Sequence, residues 1–531
     1  MRNFVLICVA ALCCVQCNLN ELEVVEPELE TYEGLIAFPL GELTYPFRDI
    51  LEDVTDSTIE LEESDSLFTM IFRDTIFFNA TNELVGIPNN RNTAILNLPA
   101  TPPVASTTII PITESFTFTF PTDNGEQLDS LVHDEGQVAL AISSTLASNF
   151  DYQLTIQSTR RVDNNTPLSL SGNVQGETSA QSAALANHVT GLERGTNFNL
   201  YEASISGNIT LLAGQEITAT DVINFELTYQ DQTFLAVYGD FGVRVVEVGR
   251  KESELQFFDQ FGSGVQFGEP QINLSVENSY GIPMGFQLGS IFGRSIDENG
   301  DTLTTNLEGT ITDSNVAIGA PTEQQQGQTV TTDFQINNGN SELRDFFAIG
   351  PSTLGLAFDA ELNNPAGSGR NFYENTSSLR SNVEIRLPFN VRLDDVEFVT
   401  SYPYPPLKEP AADSVVLRFV TENELPMNAV MAVQIYTGDT LLYTVPEELF
   451  LATPFLDRNL LVTGGEVNIA NMELDEEGVE AFKNGDRVDL VMTFNTPKPS
   501  NSQEIFVDLF NFYKMEVKAS VIVRVNLDIR L

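Results

Sequence analysis

The chain of 531 residues has no tryptophan, only two histidines and no cysteine beyond residue 17. Each shortage removes a class of chemistry. A body without thiols forms no disulfides, no thiolate metal centre and no cysteine nucleophile. With only His133 and His188 present, any Ser-His-Asp triad would have to use one of them, and neither adjoins a Gly-x-Ser-x-Gly elbow. His133 follows Leu131-Val132 beside Asp134-Glu135 and reads as part of a polar loop. Both histidines are expected to be solvent-exposed or structural. No Walker loop or dinucleotide fingerprint follows a strand and opens a helix. Basic residues are scarce too: 26 against 75 acids give a formal net charge of -49. That surface repels nucleic acid and anionic lipid. The missing indole weakens a sugar-binding reading, because many such modules stack pyranose faces on Trp; 13 Tyr and polar contacts would have to serve instead.

Long apolar runs are absent downstream, and the one near the start is short. Met1-Arg2-Asn3 leads into Phe4 to Leu12, well below the ~20 residues that span a bilayer, so the segment reads as an export signal. All four cysteines, Cys8, Cys13, Cys14 and Cys17, lie in or just after it. A cysteine closing an apolar run, with Asn18, Glu21 and Glu23 beyond, resembles the lipidation site of a bacterial lipoprotein. The turn from apolar to acidic composition points to Cys17, with Cys14 as the alternative. The resemblance implies a membrane anchor of two or three acyl chains, since one alone binds marginally.

What the chain has is alternation. Hydrophobic residues make up 42%, with 36 Phe, enough for real cores. Phe116, Phe118 and Phe120 alternate with Thr; Ile272, Leu274 and Val276 with Asn and Ser; Val383 to Leu393 and Leu354 to Leu362 keep one parity each. Period two predicts half-buried strands. From Met515 to Leu531 every odd residue is apolar, at ~3.3 Å per residue an element of about 56 Å. It is either one long strand or two bent by a bulge near Ile522. Helices are predicted only at Ser341 to Ala348 and Asp475 to Lys483, while Ser179 to Leu192 is ambiguous between helix and loop. The expected fold class is all-β, an elongated multi-domain chain of β-sandwich-like modules with few short helices.

Proline-rich and turn-rich stretches, Pro99 to Pro111 and Tyr402 to Pro410, suggest boundaries. The division is a signal peptide over 1–17, an N-terminal β region over 18–105, β-sandwich domains over 106–250 and 251–401, a Pro-rich connector over 402–411 and a C-terminal β domain over 412–531. A strand running into an Asn and soon a Pro recurs at Ile272 to Pro283, Leu356 to Pro365 and Val416 to Pro426. Ordinary strand-to-turn chemistry explains it; the phrase is also similar to that of WHy-type β domains.

Two further patterns suggest sites. Asp297, Asn299, Asp301 and Glu308 occupy positions 1, 3, 5 and 12 of a calcium-loop register, but Thr302 stands where the sharp turn needs Gly. A hairpin turn at Asn299-Gly300 explains the same residues, so the cofactor expectation is none, with Ca²⁺ as the one option. Tripeptides of Asp, Ser or Thr, and an aliphatic residue or Thr place hydroxyls at Ser57, Ser66, Thr75, Ser130, Thr302, Ser414 and Thr440. These resemble the O-glycosylation acceptors of Bacteroidota, and with the Cys-led acidic N-terminus the chain resembles their outer-membrane and surface lipoproteins. The resemblance implies a cell-surface-facing location on the outer membrane. The functional expectation is a non-enzymatic, lipid-anchored structural or accessory subunit, with outer-membrane proteins as partners in transport, secretion or barrel insertion. The alternatives are a surface glycan-binding or adhesive lipoprotein, and a carrier whose long curved sheet holds a lipid.

Overall fold

The computed structural model describes residues 30–48, 60–64, 67–78, 87–255, 258, 264–296, 301–312, 315–363, 370–403, 412–498 and 505–529. It is an all-β chain of several antiparallel modules. The alternating segments become strands because each has one apolar and one polar face, and the apolar face is buried by another sheet. Gln271–Asn278, for example, alternates strictly between buried and half-buried residues.

Three bodies of sheet carry most of the chain. A ten-stranded sheet is built mainly from residues 90–240 and gains the strand Asn371–Glu374, which pairs with Val222–Asp240. It curls over itself, so that Phe116 and Phe118 from one edge meet Phe225, with ring centroids 4.7 and 6.2 Å apart. The edge strand Thr108–Thr119 includes Pro111, which an edge position tolerates. Next come two five-stranded sheets. One runs Val330–Ile336, Gln271–Asn278, Leu379–Pro388, Leu67–Phe78, Glu60–Ser64; the other is led by Arg244–Glu254, Thr353–Leu362 and Met284–Ile296. Their buried faces belong to the same apolar core as the ten-stranded sheet. In the second of these sheets Gly355 lies opposite Phe292. A Cβ at Gly355 would run into that ring, so the bare backbone is what lets the aromatic lie flat.

The C-terminal body pairs two four-stranded sheets over a second core. Within Ala412–Asn423 Val415, Leu417 and Phe419 alternate inward and share a core with Met431, Val433 and Leu490 from the facing sheet. Each fully buried side chain of this size contributes roughly 1.5–3 kcal/mol. Lys514–Ile529 is one strand, with continuous pairing through Ile522 on both sides. The irregularities fall instead on its neighbours, between Pro39 and Gly41 and between Ala412 and Ser414. Its first partner, Glu30–Pro46, comes from the opposite end of the chain.

The two predicted helices form, over Leu343–Ala348 and Glu476–Asn484. The second is capped by Asp475, whose carboxylate accepts from the Gly478 N–H at 2.9 Å, and this bond holds the carboxyl below its ordinary range. The ambiguous stretch resolves into two strands, Thr178–Ala184 and His188–Gly191. Small Ala and Ser residues there lie flat on a sheet rather than winding.

The recurring Asn has a definite job in two of its three places. Asn278 and Asn423 are both fully buried at corners where the chain leaves one sheet of a sandwich for the facing sheet. In each the side-chain oxygen accepts from the backbone N–H two residues on, at 2.9 Å (Tyr280 and Leu425). The amide nitrogen donates to the carbonyl four residues on, Ile282 at 3.1 Å and Met427 at 2.7 Å, and to a remote carbonyl, Gly319 at 2.9 Å and Ala452 at 2.7 Å. Asn363 differs: it adopts a positive φ of 57° and bonds to Asn371 and the Gly242 carbonyl.

Candidate functional site

The most organised polar surface lies on the outer face of the five-stranded sheet that contains Gln271–Asn278. Strand register sets it in rows. Gln335, Asn273, Glu384 and Arg73 stand side by side across four strands; Asp333, Ser275, Asn382 and Thr75 form the next row; Thr331, Glu277, Arg380 and Phe77 the third. Their alternate neighbours, such as Leu274, Val276, Val383 and Ile385, are buried beneath. The inward apolar residues therefore fix the outward polar ones in place.

The rows are stitched together. Gln335 donates to Asn273 Oδ1 at 2.9 Å, Asn273 to Glu384 Oε1 at 3.2 Å, and Arg73 to Glu384 Oε2 at 2.8 Å. Ser275 donates to Asp333 at 2.6 Å, Thr75 to Asn382 at 3.1 Å, and Asn382 to Glu277 at 3.3 Å. Burial pushes the Glu384 carboxyl up, but hydrogen bonds from Arg73, Arg386 and Asn273 outweigh it and hold the group below its ordinary range. The first two rows line a shallow trough of about 740 Å³. Outside the trough, at the end of the third row, Phe77 is 62% exposed.

A second polar group is sealed inside the ten-stranded sheet. His133 is in the strand Gln127–Ser144 and fully buried, not in a loop as its acidic neighbours suggested; Asp134 and Glu135 point outward while the imidazole packs against Phe234 and Tyr229. Its Nε2 is 2.7 Å from the Thr190 hydroxyl, which is 2.9 Å from Thr159, itself 2.7 Å from the Tyr229 hydroxyl. Nδ1 has no partner among the described residues. Burial, reinforced by His188, lowers the His133 pKa to about 3, so the ring is neutral. Burial likewise pushes the Tyr229 and Tyr201 hydroxyls well above their ordinary range. His188 is tied by Nδ1 to the Ala186 carbonyl at 2.9 Å.

The residues singled out in the sequence scatter. Cys17, Ser57, Ser66, Asp297 and Asn299 lie outside the described residues. Met284–Ile296 and Thr302–Asn306 pair as a hairpin with Ile296 opposite Thr302. That strand separates Asp301 at its start from Glu308 beyond its end, so the structure does not bring these two together. Glu308 accepts the Glu342 N–H through its carbonyl at 2.8 Å. No group of three or more metal-ligating side chains occurs among the described residues. Of the hydroxyls, Thr302 and Thr440 are exposed, Ser130 and Ser414 half-buried in strands, and Thr75 belongs to the polar face. Sequence reasoning missed that face, although strict alternation with Asn, Gln, Ser and Glu on one parity was its signal.

No protein-family model and no curated protein matches the chain. Among solved structures it is similar in part to a protein of Parabacteroides distasonis described as secreted, at 12% identity over 54% of this chain and 88% of that one, with a TM-score of 0.30. It is also similar to the tandem CBM22 domains of Xyn10C from Paenibacillus barcinonensis (11%, 53% and 91%, TM-score 0.14). The PBSX exported protein XepA gives 11% identity over 55% and 86%, with a TM-score of 0.13. Overlaps of this size carry no argument about what the chain does. Among the described residues, no helix is long and apolar enough to cross a membrane.

Proposed function

We propose that the chain is a non-catalytic protein held at the outer membrane by acyl chains on Cys17, working by contact as a structural or accessory subunit of a transport, secretion or barrel-insertion assembly. The observation that carries this reading is how its polar side chains are used. On the sheet face carboxylates, amides and guanidinia bond to one another across strands. Asp74 is clasped by Lys251 and Ser253, and Glu126 by Arg244 and Asn124. Groups committed in this way hold a surface in shape and do not trade protons with a substrate. The signal-like start and Cys17 supply the anchor.

Two measurements test the reading. Mass spectrometry of the N-terminal peptide is expected to find acyl chains on Cys17, and Cys17→Ser to release the chain from membranes. Extraction in mild detergent is expected to bring outer-membrane proteins with it; a chain recovered only as a free monomer removes the subunit role. The glycan-binding alternative is favoured by one observation, the exposed Phe77 beside the polar rows.

A further inference from the structure

We infer that the outer face formed by Gln271–Asn278, Val330–Ile336, Leu379–Pro388 and Leu67–Phe78 is a binding platform for an extended, uncharged oligosaccharide. The inference rests on the reading that this chain works by contact outside the cytosol, and it names the chemistry that one surface of it takes.

A sugar hydroxyl both donates and accepts, so it is best met by side chains that offer both kinds of atom close together. Asn273, Gln335 and Asn382 carry an amide N–H₂ and a carbonyl each, Ser275 and Thr75 carry hydroxyls, and Arg73 and Glu384 supply a paired fork and carboxylate. Neighbouring strands lie ~4.8 Å apart, so a row across four strands is about 14 Å long, the reach of a short oligosaccharide lying across the sheet. The existing bonds between the side chains fix their rotamers before a ligand arrives, which lowers the cost of ordering them on binding. Phe77, at the corner of the third row, offers the flat apolar ring on which the C–H face of a pyranose stacks; the chain does this without Trp.

Charge selects the class of sugar. Across these four strands the face carries Arg73, Arg380 and Arg386 against Glu277, Asp333 and Glu384, so the charges of the four balance in a protein whose formal net charge is -49; the acids Glu60 and Glu62 belong to the fifth strand at the sheet edge. An anionic polysaccharide is repelled by the field of the whole chain, and a basic protein finds more acid elsewhere on it. A neutral polyhydroxyl chain is the ligand for which this patch differs from the rest of the surface.

The test is affinity electrophoresis of the full chain in mild detergent through gels containing xylan, mannan, β-glucan or galactan, followed by calorimetry with the matching hexasaccharide. At least one neutral polysaccharide is expected to retard the chain, equally at low and high salt. Phe77→Ala, Gln335→Ala and Asn273→Ala are each expected to weaken binding about tenfold or more. Phe77 and Gln335 are exposed, so those two variants keep the core and the melting temperature, and they decide the matter should Asn273→Ala fold poorly. Retardation by none of the four, binding unaffected by the two exposed variants, or binding that vanishes with salt overturns the inference. A chain that ignores all four sugars while remaining acylated and bound to outer-membrane proteins refutes this site alone. A chain found unacylated inside the cell refutes the broader reading and leaves the sugar measurement standing.

Discussion

Asn278 and Asn423 show how much one side chain can carry. Each satisfies one buried N–H and two carbonyls at a sandwich corner, and leaving such groups bare costs about 1–3 kcal/mol apiece. Asn278→Ala and Asn423→Ala are each expected to destabilise the chain by about 2–4 kcal/mol in denaturant titrations, whereas Asn→Ala at exposed Asn173 should cost little. The recurring Asn was legible in the sequence; its remote partners Gly319 and Ala452 were not, because they lie 41 and 29 residues away, just past the ends of other strands. His133 makes a second test, through pH. Its native pKa is about 3 against ~6.5 for an unfolded histidine, so below that value the unfolded chain binds the extra proton. The stability it contributes is present above pH 6.5 and is lost as pH falls toward 3, at about 1.4 kcal/mol per unit, or roughly 2 kcal/mol between pH 6.5 and 5. His133→Leu should flatten that slope; an unchanged slope in the variant would assign the loss elsewhere.

Among the elements, Lys514–Ile529 tests the architecture best. It lies between Glu30–Pro46 and Ala412–Asn423 in its sheet, and Val521 at its middle is completely buried. Val521→Asp is expected to cost about 4 kcal/mol or more, because the charge has no partner there, and to expose the C-terminal body to protease; the neutral change Lys518→Thr on the exposed parity, which only removes the surface pair with Glu42, should be tolerated. Strict alternation made this strand visible in advance, and its polar parity told which residues face water. Alternation could not tell that the strand pairs without a bulge of its own while its neighbours carry the extra residues, between Pro39 and Gly41 and between Ala412 and Ser414. The helix Glu476–Asn484 was legible for a different reason: Asp475 and the acids after it are local signals, read without knowing the fold.

At the scale of the molecule, charge governs behaviour. Seventy-five acids against 26 basic residues repel one another in the folded state, and salt shortens the range of that repulsion to ~10 Å at 0.1 M. The melting temperature is expected to rise as NaCl is increased from low to moderate concentration; a flat or falling curve would show that the acids are already neutralised by their partners. Assembly was the least legible property. Residues 30–46 pair with 514–529, 69–78 with 379–388, and 90–97 with 222–229, so three early strands serve three different sheets. By itself the sequence determined the class of structure, the two faces of the strictly alternating strands, the short capped helix and the overall charge, because all of these follow from local periodicity and composition. Only the tertiary structure decided which strands lie side by side. That choice set Gln335, Asn273, Glu384 and Arg73 in one row and closed the core over His133, since adjacency across a sheet depends on pairing between distant segments, which no local pattern encodes.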